Sequence, residues 1–510
     1  MLGLQTRRAL GAAFVIAAMA TVASATIAEF KFHRDDVLGT SMDLTVLAAD
    51  QARADAAEKA ALAEIERLRL ILSTHDPASE ISRAAASAAP MKVSPELIEV
   101  LTLCDQWRVR SAGAFNAQLG DLISLWKNAG KDGRTPPDAA AVAALLPRLA
   151  KPMWRIDKAA GTVARLDTLR PDVDGLAKGY IIDKAVDALR KADPTLIGIC
   201  LDIGGDVRVW GAATPNPGGP WTIGVADPKQ PAENAPLLAQ LRLAAGAVAT
   251  SGHYARFHTI GGKRYSHILD PRTGRPAAAV EGATAVAPDA ATADALATAL
   301  CVLPPAEGLR LVRSTPGAAC LILGADGKQY VTENWKTMAI PTASPAAGKS
   351  EIRNPKSEIP AASGGQWPAG YQVDLSVMLG RRGPRPYVGF WVEDAAGKPV
   401  RTLAIWGKNK KYIQKLTAWW AFAGKDAALV AAVSRASRAA GAYTLTWDGK
   451  DDRGAPVPPG TYTIRVEAVQ ESGPHVEARG TITCGAKAAK GRATLSSIVT
   501  GMEISYGPGK

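Results

Sequence analysis

Alternation of apolar and polar positions divides the chain into stretches of different period. From Phe30 to Leu47 it has the two-residue repeat of two strands joined around Leu38-Gly39-Thr40. From Asp50 to Leu72 the period lengthens. Leu62, Ile65, Leu68 and Leu72 share one face, opposite Glu, Arg and Lys, which predicts an amphipathic helix ended by Ser73-Thr74-His75-Asp76-Pro77. Ser94-Pro95-Glu96 opens a second helix with a serine cap and proline in the first turn, and Ile98, Leu101 and Cys104 continue its buried face. Gly113-Ala114-Phe115-Asn116 makes a bend, and Leu122 to Trp126 is further buried helix. Leu201 to Trp210 is strand, glycine bulge, strand; Pro220 to Val225 and Ala247 to Gly252 add strands. Asp289 to Val302 predicts a helix that is apolar nearly all round.

Beyond Ile340 the pattern changes. Pro341 to Gln366 is rich in Pro, Ala, Ser and Gly and reads as a linker. Short alternating strands follow at Tyr371–Leu379, Tyr387–Glu393, Tyr443–Trp447 and Thr461–Val469, separated by turn residues. The expected organisation is an α+β domain over residues 26–342, a linker over 343–366, and an antiparallel, immunoglobulin-like β-sandwich over 367–510. The change of period at the linker predicts a C-terminal unit that folds independently and is dispensable for ligand binding by the first.

The 510-residue length fits more than one domain, and 47% hydrophobic with 21% charged residues is an ordinary globular composition. Net charge is +12, but the charges are dispersed, which argues against nucleic acid as a partner. Residues 1–25 carry Arg7-Arg8, the apolar run Ala9 to Ala20 and the cleavage site Ala23-Ser24-Ala25, the features of an export signal. The twin-arginine pattern is only loosely matched, so the general secretory route to the periplasm is favoured. No later run is apolar and long enough to span a membrane. Five scattered cysteines without a C-x-x-C spacing speak against zinc and thioredoxin-like chemistry, and read as buried single thiols.

Three segments hold chemistry. Tyr265 to Gly274 packs His267, Asp270, Arg272 and hydroxyl residues around the apolar pair Ile268-Leu269 and an Asp-Pro turn. A strand entering a tight turn presents side chains rigidly, although a hairpin with a structural histidine fits the same pattern. Asp172 to Tyr180 sets two glycines about Lys178 ahead of a helix restarting at Ile181, which would seat a phosphate at a helix N-terminus; a glycine turn with a solvated lysine is the alternative. Asp294 and Thr298 lie one turn apart and can offer oxygen ligands to a hard cation. The apolar surroundings of Asp294 imply that it needs a counter-charge.

Together with Ser79-Glu80-Ile81-Ser82-Arg83, Leu201 to Asp206 and Thr250 to Tyr254, these segments resemble, in order and spacing, the FAD:protein FMN transferases, the ApbE-like flavin transferases. The C-terminal region is similar to an uncharacterised domain sometimes fused to them. The resemblance implies a T-shaped α+β fold that takes FAD as substrate and uses Mg2+. It implies transfer of FMN from FAD to a Thr or Ser hydroxyl of an exported or membrane-bound acceptor protein, releasing AMP. By that resemblance the metal falls to the Asp294 and Thr298 side chains with backbone carbonyls of Gly175 and Ala297. Lys178 and Asp172 line the FAD site; Leu38, His75, Ala114, Phe115, Asn116 and Ile268 contact flavin or adenosine; His267 and Asp270 serve proton transfer, in an order left open. Departures from the family pattern are Asn116 in place of aspartate, His75 in place of tyrosine, Ala85 in place of asparagine and Asp174 in place of a small residue. The alternatives are an FAD pyrophosphatase giving FMN and AMP, or a non-catalytic flavin-binding scaffold.

Overall fold

A computed structural model describes residues 27–215, 218–229, 234–235, 237–253, 257–340, 367–380, 385–407, 410–426, 429–430, 433–435, 438, 440–470 and 473–509. The expected export signal, the whole of the expected linker, and Tyr254 lie outside the described residues.

The N-terminal unit is built on an eight-stranded sheet in the order Ala28–Val37, Thr40–Ala48, Gly198–Ile203, Asp206–Gly211, Gly246–Gly252, Val280–Ala287, Ala319–Gly324, Gln329–Val331. Every neighbouring pair is antiparallel. Because side chains alternate along a strand, each strand serves two cores. In Gly246–Gly252, Ala247 and Ala249 face one core, while Val248 faces the other. The valine face is covered by the small sheet Trp221–Ala226, Leu237–Leu243 and Ala339–Ile340, with Trp221 and Trp335 filling the layer. The alanine face carries the helices Gln51–Leu72, Asp174–Ala192 and Ala290–Val302.

Small residues set how close these helices come. A methyl group on Gly179 would stand 2.2 Å from the carbonyl oxygen of Ala290, so glycine alone permits this crossing. At the same crossing Asp183 accepts hydrogen bonds from the backbone N–H groups of Ala290 (2.8 Å) and Ala291 (2.9 Å). These are donors that a helix start leaves unsatisfied. Asp183 therefore ties the start of Ala290–Val302 to the flank of Asp174–Ala192.

The C-terminal unit has two sheets around one core. A four-stranded sheet runs Gly441–Trp447, Tyr371–Leu379, Val499–Pro508, Ala489–Lys490; a six-stranded one runs Ser434–Arg435, Pro399–Trp406, Tyr387–Glu393, Gly460–Val469, His475–Cys484, Arg492–Thr494. Val373, Leu375 and Val377 of the first meet Phe390, Ile464 and Val466 of the second. Pairing is antiparallel except between Ser434–Arg435 and Pro399–Trp406. The outer face of the larger sheet is covered by the short helix Thr417–Ala423, through Trp419 and Leu416.

Polar contacts join the units. Asn234 exchanges two hydrogen bonds with the backbone of Thr446, at 2.6 and 2.9 Å. Arg385 reaches Asp35 and Asp36 at the end of the first strand.

Candidate active site

Two helices far apart in sequence, Asp174–Ala192 and Ala290–Val302, bring the central groups together. Asp294 sits in the second turn of Ala290–Val302, fully buried, and its Oδ2 accepts the Gly179 N–H at 3.1 Å. The regular acceptor of that N–H would be the Gly175 carbonyl, four residues back, so the bond to Asp294 lessens the demand on that oxygen. Thr298 lies one turn beyond Asp294; a methyl group on Gly175 would touch its Oγ1 at 3.0 Å and the Phe115 ring at 3.3 Å. Gly175, Thr298 and Phe115 are therefore immediate neighbours. Ala297 is buried beside Thr298.

Lys178 projects from the second turn of Asp174–Ala192, and its Nζ lies 2.8 Å from Asp206 Oδ2. This corrects the expected helix start. The helix begins at Asp174 rather than Ile181, and the lysine is held by a carboxylate beneath the site. Sequence offered Asp206 only as the end of Gly-Gly-Asp, with no sign that its strand runs under Lys178.

Negative charge is in excess here. Burial pushes the Asp294 carboxyl well up, and Asp206 adds to the shift, while Lys178 and the Gly179 N–H act against it. Burial likewise raises Asp206 against the opposing pull of Lys178. Asp172, also buried, is pushed up to about 6 by burial and by Asp174, while its hydrogen bond from the Asp174 N–H and nearby His75 act the other way. Carboxylates at 172, 174, 206 and 294 thus face Lys178 and His75. His75 is exposed, with Nε2 3.3 Å from Asp174 Oδ2.

Such a site fits a cation. Among the described residues no group of three His, Cys, Asp or Glu side chains is arranged to hold a metal. The oxygen groups in this neighbourhood are one buried carboxylate, one hydroxyl and backbone carbonyls. That all-oxygen set suits Mg2+, which keeps several of its waters. The burial of Asp294, only partly offset by Lys178 and the Gly179 N–H, is the structural reason to expect a positive ion beside it.

The bend at residues 112–116 forms one wall. Ala112 has φ of 50° and Gly113 of 83°, and this tight reversal buries Ala114 and Phe115. The Phe115 N–H is held by Ser111 Oγ at 2.8 Å. Asn116 donates to the Leu149 carbonyl at 2.9 Å and accepts from the Gln118 N–H at 3.0 Å, so its amide locks the bend from within. Arg272 packs on this bend, with Cγ 3.5 Å from where a Gly113 methyl would stand. Arg108, Ala112, Gly113, Asn116, Pro271 and Arg272 line a cleft of about 420 Å3 between bend and turn.

The His267 segment becomes a small hairpin, Leu269–Asp270 paired with Arg275–Pro276. Ser266 Oγ accepts the Ile268 N–H at 2.9 Å and contacts His253 Nδ1. Both Asp270 oxygens are gripped by the Arg272 guanidinium, each at 2.9 Å, and the Arg272 N–H adds a third bond. Asp270 thus braces its own turn. His267 and Ile268 are half-buried at the start of that hairpin. Leu38 is at the tip between the first two strands, in a left-handed conformation with φ of 51°.

Known proteins match the part of the chain that holds these residues. Positions 38–322 match the family model described as "ApbE family", and 369–498 match "Predicted periplasmic protein (DUF2271)". A Treponema pallidum protein named FAD:protein FMN transferase is 32% identical over 279 residues, spanning 51% of this chain and 75% of that protein. A Klebsiella pneumoniae protein of the same name is 27% identical over 312 residues, covering 59% and 87%. The crystal structure of the ApbE protein from Thermotoga maritima aligns with a TM-score of 0.55 at 30% identity, over 61% of this chain and 99% of that one.

Proposed function

The chain belongs to the ApbE family, and from that premise we propose that it transfers FMN from FAD to a Thr or Ser hydroxyl of an exported acceptor protein, releasing AMP. The observation that carries the reading is the buried Asp294 beside Thr298 and Gly175, next to the Lys178–Asp206 pair. A displacement at phosphorus needs positive charge on a pyrophosphate and a proton acceptor for the entering hydroxyl. Asp294, Thr298 and the carbonyls of Gly175 and Ala297 would hold Mg2+, which when bound offsets the charge of the phosphates.

Lys178 is held upright by Asp206 and directs its charge to the same phosphates. The acceptor oxygen forms a bond to the FMN phosphorus. The bond from that phosphorus to the bridging oxygen breaks, and AMP leaves with the bridging oxygen and its electron pair. His267 takes the hydroxyl proton, because Asp270 is committed to Arg272 and serves to hold the turn. Phe115 and Leu38 offer apolar surface to the flavin, with His75, Ala114, Asn116, Asp172 and Ile268 around it. Asp183, which carries no weight in a reading of the sequence alone, keeps the two helices in register.

The export signal and the match of residues 369–498 to a family described as periplasmic support a periplasmic location. Among the described residues no helix is long and apolar enough to cross a membrane. The deciding experiment coexpresses the chain with a candidate acceptor and follows the acceptor mass. Addition of one FMN supports transfer; FMN and AMP released with no change in acceptor mass would mean hydrolysis instead.

A further inference from the structure

The C-terminal unit has a core of its own, yet it grips the N-terminal sheet at one edge. Arg385 lies just before the strand Tyr387–Glu393, with its side chain 19% exposed. Its guanidinium stands 3.1 Å from Asp35 Oδ1 and 2.5 Å from Asp36 Oδ1. These aspartates sit where the pairing of Ala28–Val37 with Thr40–Ala48 shifts register. Asp36 has φ of 61°, a left-handed backbone that aspartate holds at a smaller cost than most side chains. On the other side His33 lies 3.4 Å from Asp35 and 2.8 Å from Asp43. The irregular segment is therefore clamped between a histidine of its own strand and an arginine of the other unit.

The strain continues to the tip. Leu38 and Gly39 both have positive φ, 51° and 74°. This is the turn that matches strand twist, but it favours Asn-Gly, and leucine persists there only where its surroundings hold it. The tip abuts the Gly204-Gly205 turn: a Gly204 methyl would stand 2.6 Å from Thr40 Cγ2, and the Gly204 N–H donates to the Ser41 carbonyl at 3.0 Å. The next residue after that turn is Asp206, the partner of Lys178.

We propose that Arg385 is a positioning residue for the flavin subsite. By holding Asp35 and Asp36 it keeps Leu38 and the turn before Asp206 in their binding arrangement, so the C-terminal unit sets the FAD affinity of the N-terminal one. This rests on the flavin-transferase reading above, and it replaces the expectation that residues 367–510 are dispensable for FAD binding.

The test uses the full chain and compares the parent with Arg385→Ala, Arg385→Lys, the milder Asp36→Asn, and Arg385→Ala combined with Asp36→Asn. FAD affinity is read by flavin fluorescence quenching, and turnover at saturating FAD by acceptor mass. Arg385→Ala should weaken FAD binding about three- to tenfold, in the low range for directly coupled pairs, with turnover at saturation nearly unchanged. Arg385→Lys should recover part of the loss, and Asp36→Asn should add nothing to Arg385→Ala. Without FAD, amides 37–41 should exchange hydrogen faster in Arg385→Ala. Parent-like affinity and exchange in Arg385→Ala, or additive losses in the double variant, would overturn the proposal alone. A parent chain that binds no FAD would overturn the flavin-transferase reading and this proposal with it.

Discussion

Replacing Gly179 by alanine adds one methyl group where the structure leaves no room for it. The new carbon would lie 2.2 Å from the Ala290 oxygen, 2.5 Å from its carbon and 2.8 Å from the Ala291 nitrogen. Carbon and carbonyl oxygen approach to about 3.3 Å even in their closest favourable contacts, so the helices must part by roughly 1 Å. Overpacking of this kind costs about 1–3 kcal/mol. The same movement stretches the two hydrogen bonds to Asp183, each worth about 1.5–3 kcal/mol because the acceptor is charged. Helix propensity acts the other way, favouring alanine by about 1 kcal/mol. With those bonds weakened rather than lost, the net loss is roughly 2–4 kcal/mol, a fall in Tm of about 3–6 °C for a unit of this size. Function should suffer more, because parting these helices separates Gly175 and Lys178 from Thr298 and Asp294. A 1 Å misplacement can cost about 100-fold in rate. Differential scanning calorimetry and acceptor flavinylation would be measured on the same preparation. Propensity alone would raise Tm, so the sign is diagnostic: a variant as stable as the parent or more so, with full activity, refutes the reasoning.

Asp294→Asn keeps the shape but removes the charge; isothermal titration should show loss of Mg2+ binding, and undiminished turnover in excess chelator would remove the metal assignment. The raised carboxyl of Asp294 also means that protons compete with the cation, so Mg2+ affinity should fall as pH is lowered, and a pH-independent affinity would contradict this. His267→Ala should slow transfer by about 10²–10⁴-fold while FAD affinity changes little; unchanged transfer would make His267 structural. Burial lowers the His33 pKa, but hydrogen bonds to Asp35 and Asp43 carry it up to about 9. Its folded value lies above the ordinary 6.5, so its stabilisation is complete below pH 6.5 and is lost as pH rises through about 9. His33→Asn should flatten that part of the Tm profile, and an unaltered slope would refute the assignment.

Much of the fold was legible because local signals agreed with the tertiary result. Ser94 caps and Pro95 opens a helix at Pro95–Arg110, and the strands expected at Tyr371–Leu379 and Tyr387–Glu393 have those bounds. Asp174–Ala192 starts earlier than expected because its first two turns carry glycines that propensity disfavours; packing against Ala290–Val302 outweighs that cost. At the site, Asp294 and Thr298 could be read from helical spacing and an apolar background. Asp206 and Asp183 could not, since their partners lie 28 positions before and 107 after in sequence. The bracing of Asp270 by Arg272 escaped a different way: the two are near neighbours, but only the turn geometry shows that both carboxylate oxygens are taken.

None of the five cysteines is in a disulfide, and Cys104, Cys301, Cys320 and Cys484 are buried. Burial raises all four thiols, with Cys301, Cys320 and Cys484 at about 12. A thiol reagent needs a thiolate it can reach, so these positions stay silent while their surroundings hold. Three of them report on the N-terminal unit, whereas Cys484 sits in the core of the C-terminal one. The chain therefore carries its own labels for the order in which its two halves come apart, readable by alkylation and peptide mass without introducing any probe.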